Sequence, residues 1–236
     1  MQPFLNKEVV IPKLEKLHIR NMENLKMIWP CEFSSSEEVN DCILREIRVE
    51  RCDSGVNLFP SNPMSLLHHL EELNVSSCDS IEVLFNIDLR CVGKNVEVGS
   101  CLRSIHVSFA ENLREVWRIK GANDSGHVIN GFQAIESIFI RGCKRFRNVF
   151  TPTTTTNFDM RALTMLTIID CGENEKDDEM VNSRQEQEIK VAFPSYLMHT
   201  FHNLHNLSIY NYKGVEVVFD IESPQSNQTT TATSLP

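Results

Sequence analysis

Apolar positions along the chain recur in one nine-residue phrase. "LEELNVSSC" from Leu70 places Leu70, Leu73, Val75 and Cys78 at offsets 0, 3, 5 and 8, and "IESIFIRGC" from Ile135 repeats the pattern. Further copies start at Leu14, Leu44, Leu102, Leu163 and Leu204, so that seven copies follow one another at intervals of 30, 26, 32, 33, 28 and 41 residues. Offsets 3 and 5 have the period of two that sends both side chains to one face of a strand, so each copy predicts one short strand. The agreement runs on beyond the phrase. Offset 11 holds Leu25, Gly55, Ile81, Leu113, Phe146, Asn174 and Val215. Offsets 14 and 15 hold Ile28-Trp29, Leu58-Phe59, Leu84-Phe85, Val116-Trp117, Val149-Phe150 and Val218-Phe219, and only the sixth copy departs, with Asp177-Asp178.

L-x-x-L-x-L-x-x-C at intervals of this length is the pattern of a leucine-rich repeat, in which each unit supplies a strand and a return limb. The expected fold class is α/β: a leucine-rich repeat solenoid with a parallel concave sheet of about seven short strands and irregular, partly helical convex limbs. One unit cannot bury its apolar face alone, whereas stacked units share a continuous core, with strands about 4.8 Å apart. Seven ordinary amphipathic strands in another α/β fold would not carry the match as far as offset 15. The cysteines at offset 8, Cys52, Cys78, Cys143 and Cys171, take the small, inward-turned position where strand meets return limb. "PMSLLHHL" from Pro63 and "FPSYLMHTFHNL" from Phe193 have the spacing of short helices. "KGANDSGHVING", 120 to 131, reads as an exposed loop. The repeat domain is placed at 1–220 with an acidic insertion at 172–190, and the low-complexity end, 221–236, is expected to be a disordered tail.

Composition narrows the chemistry. The chain has 236 residues, 41% hydrophobic and 23% charged, and a net charge of −9 that argues against a phosphate-backbone binder and so against a nucleic-acid partner. No basic region followed by a long apolar run opens the chain, and no stretch approaches the roughly 18 apolar residues of a membrane span, so the expected compartment is the cytoplasm. In that reducing setting the eight cysteines, none in a C-x-x-C pair, read as free thiols. Neither a Gly-rich phosphate loop, a nucleophile elbow nor a paired-acid motif occurs, which points to a non-catalytic protein without cofactor or metal. His199, His202 and His205 have a spacing that suggests metal, but they straddle a limb and a strand lead-in; His68-His69 reads as the polar edge of a short helix. Asn74, Asn123, Asn206 and Asn227 fit the glycosylation pattern, by chance if no secretory route is used. Residues 171 to 190 hold seven acids against three bases, a run that suits either a solvated segment or a contact with a basic partner.

On a curved repeat sheet the outward side chains are free to serve recognition. Offsets 4 and 6 give His18 and Arg20, Arg48 and Glu50, Asn74 and Ser76, His106 and Ser108, Phe139 and Arg141, Thr167 and Ile169, Ser208 and Tyr210. The first two pairs are charged, the middle two small and polar, and the last three bring aromatic and aliphatic groups. Partner-binding candidates are therefore His18, Arg20, Arg48, Glu50, Asn74, His106, Phe139, Arg141, Ile169 and Tyr210. Phe139, Ile169 and Tyr210 are expected to form an apolar strip with Arg141 as its charged anchor.

The wording of the repeats, "LEKLHIRNMENLKMIWP", "CDSIEVLFNIDL", "LREVWRIKG", "GCKRFRNVFTP" and "FHNLHNLSIYNYKGVEVVF", resembles the C-terminal leucine-rich repeat region of plant intracellular disease-resistance receptors of the coiled-coil, nucleotide-binding class. The likeness covers roughly residues 9 to 220 and includes the aromatic closures. It implies a region that senses a pathogen effector or a guarded host protein and helps hold the receptor's own nucleotide-binding domain inactive. The chain departs from a complete receptor in having no P-loop and no N-terminal signalling domain, so it resembles a fragment or an isolated repeat region. The alternative is the substrate-receptor repeat region of an F-box ubiquitin ligase, whose repeats are more regular in length; an extracellular ectodomain fits less well, for want of a signal peptide and cysteine caps.

Overall fold

The computed structural model describes residues 13–25, 28, 43–52, 58–59, 68–88, 95–98, 101–120, 128–150, 160–172, 191–193 and 201–219. In chain order its strands are β1 (Lys16–Arg20), β2 (Glu46–Glu50), β3 (Glu72–Ser76), β4 (Val83–Asp88), β5 (Asn95–Val98), β6 (Ser104–Ser108) and β7 (Glu115–Lys120). They continue as β8 (Val128–Gly131), β9 (Ser137–Arg141), β10 (Asn148–Phe150), β11 (Met165–Cys171), β12 (Val191–Phe193), β13 (Asn206–Tyr212) and β14 (Val217–Phe219).

Each copy of the nine-residue phrase forms one strand, and the seven join in the order β1-β2-β3-β6-β9-β11-β13. Every pairing is parallel and offset matches offset: Leu17 faces Ile47, Ile47 faces Leu73, Leu73 faces Ile105, and so on to Leu166 facing Leu207. A slip by one residue would turn every core side chain outward, so the alternation of apolar and polar positions fixes this register. Leu17, Ile19, Ile47, Val49, Leu73, Val75, Ile105, Val107, Ile138, Ile140, Leu166 and Ile168 are all buried, while Leu207 and Ile209 of the seventh strand are half-buried against the same core.

The chain leaves each strand through a sharp corner. At offset 7 stand Asn21, Arg51, Ser77, Phe109, Gly142, Asp170 and Asn211, and all have positive φ, from 49° at Asn211 to 67° at Gly142. The offset-8 residue then turns inward, and its carbonyl accepts a hydrogen bond from the amide three residues on, as in Cys78 with Ile81, Ala110 with Leu113 and Cys143 with Phe146. The thiols of Cys52, Cys78, Cys143 and Cys171 each donate to the carbonyl at offset 6 of their own unit, at 3.2–3.5 Å. Neither these cysteines nor Cys101 form a disulfide. The Cys171 sulfur beside it and burial together push the Cys143 thiol above its ordinary range, which suits a packing group rather than a nucleophile.

Offsets 14 and 15 close the other side of the core. β4, β7 and β10 form a second parallel sheet in which Phe85 pairs with Trp117 and Trp117 with Phe150 along the backbone. The Phe59, Phe85 and Trp117 rings stack at centroid distances of 5.1 and 5.6 Å, and Phe132 meets Trp117 edge-on at 4.9 Å. In the sixth unit the sequence puts Asp177-Asp178 at offsets 14 and 15, and a closing pair stands later in the chain. β12 pairs with β14, and Phe193, buried, lies against Phe201 and Phe219 at 5.7 Å each. Val218 and Phe219 of the seventh unit remain exposed.

The expected loop 120–131 is corrected at both ends. Lys120 belongs to β7, and Val128–Gly131 form β8, whose backbone pairs with β5. The helical limbs expected from Pro63 and Phe193 fall largely on residues outside those described, as do insertion residues 173–190 and the tail. Among the described residues no helix is long and apolar enough to cross a membrane.

Candidate recognition surface

The outward face of the seven-stranded sheet carries three rows of side chains, not two. Offsets 4 and 6 run as anticipated, and offset 2 adds Lys16, Glu46, Glu72, Ser104, Ser137, Met165 and Asn206 on the same face. The strand period of two already contains this row, but a template written around leucines hides it.

Over β1 and β2 the face is a knot of ion pairs. Glu46 lies at its centre, with Lys16 Nζ at 2.7 Å, His18 Nε2 at 2.9 Å and Arg48 Nη2 at 3.2 Å, while Arg20 Nε lies 3.1 Å from Glu50. Lys16 and His18, donating to it, hold the Glu46 carboxyl below its ordinary value. The candidates His18 and Arg48 are thus brought together on a residue outside the candidate set, Glu46, while Arg20 and Glu50 pair with each other. A charge ladder along the strand entrances adds Arg45 with Glu71 at 2.7 Å and Arg103 with Glu136 at 3.2 Å.

The middle of the face is small and half-buried, with Asn74 flanked by Arg48 and His106 in register. Ser108 and Thr167, outward by register, are nevertheless buried. Ser108 donates to the Ser76 hydroxyl at 3.1 Å, and Thr167 lies in the row between Phe139 and Ser208.

Toward β13 the face becomes apolar. His106 and Phe139 stack at 4.4 Å with planes 20° apart, and burial lowers the His106 pKa below its ordinary 6.5. Met165 is 43% exposed and Tyr210 60%, with Ile169 paired to Tyr210 and half-buried. Arg141 and Ile169 pair across β9 and β11, and Phe139 lies one row over from both, so the expected strip and its anchor are neighbours. Arg141 Nε is 3.8 Å from Asp170, beyond hydrogen-bonding distance. Sequence reasoning missed Phe109, which is 51% exposed at a corner where turn-forming residues are the rule.

Elsewhere, His205 Nδ1 lies 2.6 Å from the Asn203 carbonyl, and the His68 and His69 rings are 6.5 Å apart and exposed. His199 lies outside the described residues. No group of three potential metal ligands gathers among the described residues.

Seven in-register parallel strands, a stacked corner and a closing outer sheet define a leucine-rich repeat solenoid, an architecture that serves protein interaction. The family model for plant disease resistance protein RPS2-like leucine-rich repeats matches residues 13–172, and the chain belongs to that family. The match runs from one residue before the first repeat to the corner of the sixth; β13 extends the same sheet beyond it. No curated protein and no solved structure matches the chain.

Proposed function

We propose that this chain is a protein-recognition region of a plant immune receptor of the coiled-coil, nucleotide-binding class, acting in the cytoplasm. It senses a pathogen effector or a guarded host protein on its concave face, and through contact with the receptor's own nucleotide-binding domain contributes to autoinhibition. The role is binding, not catalysis. The supporting observation is the contrast within one sheet: charges over β1 and β2 are mutually paired, whereas Met165 and Tyr210 toward the other end are left to water beside a half-buried His106–Phe139 stack. Exposed aromatic and thioether groups on one continuous surface lower their free energy when a partner covers them.

The test uses a photo-crosslinking side chain placed in the full chain expressed in leaf tissue, at Asn74 or Ser208 on the concave face and at Glu82 or Lys120 on the outer limb. A protein adduct from the concave positions alone is expected. Adducts of equal yield from Glu82 and Lys120 would sink the reading.

A further inference from the structure

Seven stacked corners adopt the left-handed conformation, and Asn, Asp and Gly, which enter it most readily, fill four of them. Phe109 is the one aromatic in the row, with φ 55° and half of its surface exposed. A bulky residue held in that conformation is strained, and an exposed ring recovers little by leaving water. The neighbouring corner is shaped around it. A Cβ on Gly142 would come within 2.6 Å of Phe109 Cδ1, so the missing side chain is what lets the ring lie across the next repeat. Arg141, one residue earlier, sets its guanidinium carbon 5.8 Å from the ring centroid. Its contact with Asp170, at 3.8 Å, leaves the fork geometry for a carboxylate unused. Residues 135–150 hold Arg141, Lys144, Arg145 and Arg147 against Glu136, a net +3 in a chain of net −9, with Lys144 paired to Glu111 of the preceding repeat.

We propose that Phe109 and Arg141 anchor a rim site for an acidic segment of a partner protein, an apolar side chain lying on the Phe109 ring and a carboxylate on the Arg141 guanidinium. This rests on the recognition reading above and gives it a partner chemistry. A strained aromatic left half-exposed beside an arginine breaks a local rule, and such exceptions collect at functional sites. Aromatic and arginine side chains together supply the concentrated contacts that dominate protein interfaces. The net positive repeat selects an acidic ligand and repels a basic one.

The experiment titrates the full chain into a short dye-labelled peptide of alternating aspartate and leucine, with aspartate–serine and lysine–leucine peptides as controls. The aspartate–leucine peptide is expected to bind, and Phe109→Asn and Arg141→Gln each to weaken it about tenfold or more. Asparagine accepts the left-handed corner, so Phe109→Asn keeps or raises the Tm while binding falls. Unchanged binding in both variants overturns the proposal. A lowered Tm in Phe109→Asn overturns it as well, by making the ring a packing group. Equal affinity for the lysine–leucine peptide removes the acidic partner. Concave crosslinks that persist while the aspartate–leucine peptide fails to bind reject this anchor and leave the recognition reading standing; loss of those crosslinks rejects both.

Discussion

The two ends of the concave sheet are built on the same backbone and handle their outward side chains in opposite ways. Over β1 and β2, Lys16 and His18 of the first repeat and Arg48 of the second converge on Glu46, and Arg20 reaches Glu50, so that each charge is answered by a nearby side chain. Over β9, β11 and β13, Phe139, Met165, Ile169 and Tyr210 meet no such answer, and the Arg141–Asp170 pair is loose. Ion pairs at a surface contribute little to stability but set which charges a partner meets. Uncovered aromatic surface does the reverse, costing little in the free chain and contributing strongly once covered. Affinity is therefore expected from the β9–β13 end, with orientation and exclusion of wrong partners from the β1–β2 end.

The sharpest challenge to that division is whether the ends share one scaffold. Leu73 lies beneath the polar part of the face and Leu166 beneath the apolar part, each buried in the same cluster. Leu73→Ala and Leu166→Ala should each cost about 2 to 5 kcal/mol, and outward Asn74→Ala no more than about 0.5 kcal/mol. Urea unfolding with a single shared transition is the expected result. Two transitions, with each variant shifting only one, would make the ends separate units and the comparison one of two proteins.

A second challenge is confined to the apolar end. Gly172 has φ 81°, and a Cβ there would stand 2.1 Å from the Lys213 carbonyl oxygen, where the corner after β11 meets the corner after β13. Gly172→Ala should cost about 1 to 3 kcal/mol from conformation alone, with the backbone overlap adding to it. Amide exchange should quicken across β13 and leave β1 to β3 as slow as before; uniform quickening would show that the seventh strand holds the whole sheet.

Much of this was legible in the chain. Offsets 0, 3, 5, 8, 11 and 14 reported the core because each is occupied by an apolar or small residue in repeat after repeat, and buried side chains such as Leu84 and Val116 stand where that spacing puts them. What escaped has physical causes. Glu46 was passed over because a pattern built on leucines assigns no role to offset 2. The stacked corner is readable at Asn21, Ser77, Gly142, Asp170 and Asn211, all residues at home in turns, but Arg51 and Phe109 mask it. The closure of the sixth unit lies beyond an insertion, and no fixed offset can find a strand displaced to Val191–Phe193. Ion pairing between repeats is a property of register and becomes visible only once strands are laid side by side.

Acid titration of the polar end is the third test. Lys16 and His18 hold the Glu46 carboxyl below its ordinary 4.5, so its contribution is complete above that value and is lost as pH falls through the lower folded value. Its partners are exposed and screened, which limits Glu46→Gln to about 1 kcal/mol at neutral pH, or roughly 2 to 4 °C in Tm. The gap between native chain and variant should shrink toward zero below pH 4.5. A gap that stays constant with pH would mean that shape, not charge, organises the β1–β2 end.

The apolar end should answer to milder acid, and by less. His106 lies against Phe139 at 4.4 Å, and burial holds its pKa below the ordinary 6.5, so the folded chain keeps the ring neutral in a range where the unfolded chain takes up a proton. Protons then bind the unfolded state more readily, and stability falls as pH drops from about 7 through 6.5 toward the lower folded value, below which the loss is complete. His106→Phe retains an aromatic stack and removes the titration. Its Tm relative to the native chain should rise between pH 7 and 5, by less than the Glu46→Gln gap at neutral pH. Because the Glu46 effect sets in only below pH 4.5, the two ends separate along one pH axis. If His106→Phe leaves the profile between pH 7 and 5 unchanged, the His106 ring is as well solvated when folded as when unfolded, and the β6–β9 border of the apolar end is wetter than its packing against Phe139 implies.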